Sequence, residues 1–109
     1  MEDRQRLQDL LSALEVEMRT QSLWEATCPP QEAFDSQLPF CVDTMRFSQW
    51  LQWVFIARFR AILEGGHPLP LQCDVAAMAE EAFRGMEARV DAMIDLLRQF
   101  DAEFENTPH

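Results

Sequence analysis

The chain has 109 residues, which fits one domain with a modest hydrophobic core. Apolar residues make up 48% and charged residues 26%, an ordinary globular balance, and no apolar run approaches the roughly 20 residues of a membrane span. Nine arginines, no lysine and nineteen acidic residues leave a net charge of −10, which repels phosphate backbones and argues against autonomous nucleic-acid binding.

The first stretch, "MEDRQRLQDLL", is charged and amphipathic where a leader would be continuously apolar, so a cytoplasmic protein is expected. Leu7, Leu10, Leu11, Leu14 and Met18 form one stripe, predicting a helix over 3–24. Val16 and Leu23 fall on its opposite side. Pro29, Pro30 and Pro39 then forbid a continuous helix through 25–45. A connection this long in so small a domain is expected to be ordered, anchored by Phe34, Leu38, Phe40 and Met45, with a short helical turn near 30–35.

A second helix is predicted over 46–64 and ends at Gly65 and Gly66. Asp74 is the expected N-cap of a third helix over 75–84, with Val75, Met78, Ala79, Ala82 and Phe83 on its buried side. The last helix, near 87–105, carries Met86, Val90, Met93, Leu97, Phe100 and Phe104 alternately four and three apart, a seam suited to an antiparallel bundle.

The second helix contains "FSQWLQWVFIARFR", residues 47–60. At about 100° per residue its apolar side chains cover well over half the circumference, so it is expected to be the most buried element. Trp53 and Ile56 fall on the narrow polar sector with Gln49, Arg60 and Glu64. Either the long loop covers them or they form an exposed patch of the kind that marks a partner surface. Arg58 falls in line with Phe47, Leu51, Val54 and Ile62, in the middle of the apolar face. A guanidinium there needs a partner, and Asp43 or Asp101 is placed to answer it. Such a pair either fixes helix register or holds Arg58 ready for a carboxylate or phosphate ligand.

Catalytic constellations are thin. The two histidines, His67 and His109, lie in a turn and at the end of the sequence, and no phosphate loop, H-E-x-x-H or nucleophile elbow is present. Cys28, Cys41 and Cys73 are far apart with no C-x-x-C pair, which reads as three reduced thiols rather than a metal site.

The run "QLPFCVDTMRFSQWLQWVFIARF" resembles the YqcC-like family of small bacterial proteins of uncharacterised function. Pro39-Phe40, Asp43-Thr44-Met45, Trp50-Leu51-Gln52-Trp53, Arg58 and Pro68-Leu69-Pro70 carry the resemblance, which extends from about Leu7 to Phe104. It implies a small helical bundle and a genomic association, in some bacteria, with a tRNA pseudouridine synthase. Ala57 departs from the pattern, since relatives often carry Pro before the Arg.

The expected architecture is therefore all-α: a single-domain, compact antiparallel four-helix bundle with a long ordered loop between helices 1 and 2. The expected function is a non-catalytic protein-interaction module associated with tRNA-modification machinery, without cofactor or metal. Its partner would be another protein or a second copy, the latter suggested by Val16, Leu23, Trp53 and Ile56. The alternative is a small-molecule, anion-binding protein whose site comprises Arg58, Asp43, Trp50, Trp53 and Asp101.

Overall fold

The computed structural model describes residues 4–38, 43–70, 73–85 and 87–105. These residues are all-α, with no strand among them. Helix α1 spans Arg4–Thr20 and buries the predicted stripe of Leu7, Leu10, Leu11, Leu14 and Met18. It stops four residues short of the predicted end. Ser22 takes a left-handed conformation with φ 60°, Ser22 N–H donates to the Arg19 carbonyl at 3.1 Å, and Leu23 N–H donates to that of Met18 at 2.8 Å. This closure turns Leu23 back onto the core.

A 3-10 turn, Gln31–Asp35, lies within the loop, and Thr44 Oγ1 donates to the Ala33 carbonyl at 2.6 Å. The central helix follows in three joined pieces: α2 (Phe47–Trp50), a π-helical turn (Leu51–Ile56) and α3 (Ala57–Glu64). It closes as α1 does, with His67 N–H reaching the Ile62 carbonyl at 3.0 Å around Gly66, whose φ is 66°. Two more helices complete the fold, α4 (Ala76–Ala82) and α5 (Glu87–Glu105).

Contacts fix the directions. Arg6, early in α1, bonds Gln99 and Glu103, late in α5, so these helices oppose each other. Arg60 pairs with Glu15 while Arg4 reaches the His67 carbonyl, so α1 also opposes α3. Phe55 meets Phe100 edge-on, and Phe59 meets Phe100 and Phe104, so the central helix and α5 run the same way. These rings join the leucine stripe of α1 in one continuous core.

The π turn corrects the predicted orientation of the central helix. In an α-helix, residues four apart drift by about 40° per step, so Leu51, Phe55, Phe59 and Leu63 would fan out over about 120° of the rod. A π turn takes up one extra residue, and everything after it rotates back by about 100°. The result is one buried line of Leu51, Phe55, Phe59 and Leu63, with Ile56 beside it only 1% exposed. The same rotation carries Arg58 off the core face, and it stands exposed on α3.

The cap of α4 is a second correction. Asp74 is exposed and does not cap the helix. The buried carboxylate of Asp101 on α5 accepts instead from Val75 N–H at 2.9 Å and Ala76 N–H at 2.8 Å. Arg98 of α5 pairs with Glu80 one turn further along α4, so the two helices oppose each other.

Candidate interaction surface

The five residues expected to form a site have different surroundings. Arg58 is exposed, and among the described residues no carboxylate pairs with it. Asp101 is committed to the backbone of α4. Asp43 is exposed on the loop and accepts from the Ser36 hydroxyl. Trp50 is half-buried and stacks on Phe47 with ring centroids 5.6 Å apart. Trp53 is half-buried; its indole Nε1 is buried and finds no hydrogen-bond partner among the described residues. The buried Arg–Asp pair is thus replaced by two unrelated features, an exposed arginine and a capping aspartate.

The π turn is where the loop is fastened. Gln52 is buried, its Oε1 accepts from Glu25 N–H at 2.8 Å, and its Nε2 donates to the Glu25 carbonyl at 2.7 Å. The Glu25 carboxylate in turn takes an ion pair from Arg46 and a 3.1 Å bond from Gln49. Ile56 is buried and so takes no part in an exposed patch, while Trp53 stays half-buried and lines a groove beside the loop. Gln52 was not among the expected site residues; its signals were a polar side chain set between Leu51 and Trp53 in an apolar run and its place in the Trp50-Leu51-Gln52-Trp53 motif.

Surface grooves lie among the described residues. One of 360 Å³ lies between the loop at Trp24–Ala26 and the π turn at Gln52, Trp53 and Ile56. One of 270 Å³ is polar, lined by Gln8, Ser12, Arg60 and Glu64. The third, of 430 Å³, opens where the loop meets α2 and α4; Leu23, Met45, Phe47, Met78, Ala82 and Phe83 line it together with the polar Arg46 and Ser48. Its floor is firm, since Phe47 packs edge-on against Phe83 at 5.6 Å. Arg58 lines none of the three.

Electrostatic perturbation is modest. Burial tends to raise the Glu15 carboxyl, but hydrogen bonds from Arg19 and Arg60 outweigh it and hold the group below its ordinary value. Burial pushes the Cys73 thiol far up, and the neighbouring Asp101 adds to the shift, so Cys73 is a protonated, weakly reactive thiol. No cluster of three or more His, Cys, Asp or Glu suited to a metal occurs among the described residues. No helix among them is long and apolar enough to cross a membrane.

Residues 6–103 match the model of the DUF446 family, described as tRNA pseudouridine synthase C. The chain belongs to this family. It is 37% identical over 102 residues to the uncharacterised protein YqcC of Escherichia coli, covering 94% of this chain and 92% of that protein. It is 43% identical over 74 residues to an uncharacterised protein of Haemophilus influenzae, covering 68% of this chain and 70% of the relative. A third relative is a tRNA pseudouridine synthase C of Pectobacterium carotovorum subsp. carotovorum, 36% identical over 86 residues. That match takes in 79% of this chain but only 22% of the synthase's length. The solution NMR structure of YqcC from E. coli superposes with a TM-score of 0.85 at 32% identity, covering all of this chain and 93% of that one.

Proposed function

We propose that this chain is a non-catalytic helical module that works by docking to a tRNA pseudouridine synthase. One observation carries the reading. In the Pectobacterium protein named tRNA pseudouridine synthase C, the region like this chain is 22% of the length. Most of that protein's length lies outside the match, which leaves room for catalysis elsewhere in it. A unit matched within a protein of that name is suited to working beside such an enzyme. The −10 charge supports a role as a partner of the enzyme rather than as its grip on tRNA, since phosphate binding needs a basic surface.

The test is to mix the purified chain with the tRNA pseudouridine synthase C of the same organism and measure association by isothermal calorimetry. Pseudouridine formation in tRNA is assayed in parallel. The expected result is a complex of defined stoichiometry, with no pseudouridine formed by the chain alone. Pseudouridine formation by the chain alone would overturn the non-catalytic assignment, and absence of any complex would overturn the docking role.

A further inference from the structure

We infer that the 360 Å³ groove between the loop and the π turn is a binding site for a small carboxylate with a flat apolar body, with Trp24 and Trp53 as its walls and Arg60 as its charge partner. The site is separate from the docking role proposed above and does not depend on it.

Trp24 comes from the loop and Trp53 from the π turn, and both are half-buried. Ala26 and Ala57 line the same groove from exposed positions, so no large side chain fills the space above them. The two walls are tied together. Glu25 directly follows Trp24, Gln52 directly precedes Trp53, and the Gln52 amide holds both backbone groups of Glu25. A groove with tied walls is formed before a ligand arrives, which lowers the ordering cost of binding. Indole walls suit a flat apolar body.

Charge selects the ligand. The two ionisable side chains lining the groove are Glu25 and Arg60. Both oxygens of the Glu25 carboxylate are taken, one by Arg46 and the other by Gln49 at 3.1 Å. Arg60 is less committed. Its Nη1 meets one oxygen of Glu15 at 2.7 Å, and Arg19 takes the other at 2.8 Å. Two guanidiniums therefore share one carboxylate, which leaves a positive charge over. Arg19 also stands 5.0 Å from the centre of the Trp24 ring, so the second cation lies against a residue of the same groove. The Nε and Nη2 donors of Arg60 have no acceptor among the described residues. Glu64 lines the neighbouring polar groove with Arg60 but forms no ion pair with it. A guanidinium with open donors beside two indoles matches a carboxylate carried on a flat ring. A neutral ligand would leave those donors unused, and a cationic one would meet like charge.

The experiment titrates the full, nitrogen-15-labelled chain with indole-3-acetate and follows the indole N–H signals of its three tryptophans by NMR. Indole-3-acetamide supplies the ring without the charge, and acetate the charge without the ring. Ala57→Glu puts a carboxylate at the exposed rim three residues before Arg60, where it competes for the guanidinium. Arg60→Gln removes the cation. Arg58→Gln removes an exposed cation that lines none of the grooves. Circular dichroism checks each fold; should Arg60→Gln not fold, Ala57→Glu decides.

The expected result is a saturable shift of the Trp24 and Trp53 signals, with that of Trp50 unmoved. Indole-3-acetamide and acetate should each bind about tenfold more weakly or worse, and Ala57→Glu and Arg60→Gln should weaken indole-3-acetate binding as much. Arg58→Gln should leave it within about twofold. No saturable shift at Trp24 and Trp53 would overturn the site. Equal binding of indole-3-acetamide would do the same, as would equal losses in Arg58→Gln and Ala57→Glu. Displacement of indole-3-acetate by added tRNA pseudouridine synthase C would make the groove a protein contact, overturning the small-ligand assignment while the docking role stands.

Discussion

Gln52 holds Glu25 by both of its backbone polar groups, N–H to Oε1 at 2.8 Å and carbonyl to Nε2 at 2.7 Å. A single side-chain amide thereby does for the loop what a strand neighbour would do, supplying one acceptor and one donor to an otherwise unpaired peptide. The amide comes from the π turn, so the irregular stretch of the central helix and the irregular stretch of the loop satisfy each other.

Replacing Gln52 by Leu should therefore cost about 1–3 kcal/mol, because both Glu25 groups lose their partner in a half-buried setting. Gln52→Glu should also destabilise, since a carboxylate cannot donate to the Glu25 carbonyl. Urea denaturation of the two variants checks this. Stability equal to that of the unaltered chain would show that water replaces the amide without cost.

Asp101 makes the equivalent tie between α5 and α4. Asp101→Ala leaves the Val75 and Ala76 N–H groups buried without an acceptor and should cost about 2–3 kcal/mol. Asp101→Asn keeps an acceptor oxygen and should lose less than half as much. Hydrogen exchange at Ala76–Ala82 should quicken in the Ala variant before exchange in α1 changes, because the loss acts first on the cap.

Arg58→Ala should change stability by no more than about 0.5 kcal/mol, as for surface positions without a partner. A buried Arg–Asp pair would have cost several times that when broken, on the order of 3–5 kcal/mol. Chemical denaturation separates the two cases directly.

Cys73 should resist alkylation at pH 8 under native conditions, whereas exposed Cys28 should react readily. Site-resolved mass spectrometry after iodoacetamide treatment reads the difference. The sign of the pH effect follows from the raised thiol. The folded state keeps the Cys73 proton where the unfolded chain releases it, so this contribution to stability is complete below the ordinary thiol value of 9.0 and declines as pH rises beyond it. A Cys73→Ala variant should show a flatter loss of stability above that pH.

The four residues that suggested a homodimer do not form one patch. Ile56 is buried, Leu23 and Trp53 are half-buried, and only Val16 stands well exposed. At micromolar concentration the chain should sediment as a 12.7 kDa monomer. A dimer abolished by Val16→Arg would place self-association on the outer face of α1.

Sequence periodicity alone determined which face of α1 is buried, and it placed Val90, Met93, Leu97, Phe100 and Phe104 inside on α5. Both are regular helices, where side-chain direction follows from spacing and needs no distant partner. Tertiary structure decided the rest. Asp74 is the better N-cap by local rules, yet Asp101 caps α4 from 26 residues further along the chain, because α5 brings its carboxylate to the helix start. Arg58 was misplaced for a related reason. The spacing of Leu51, Phe55, Phe59 and Leu63 shows only that four apolar residues are four apart. Whether they line up depends on a π turn, and that turn is stabilised by burying all four in one core and by Gln52 reaching Glu25. The 430 Å³ groove likewise exists only where the loop, α2 and α4 converge, because no local rule fixes the path of a long loop.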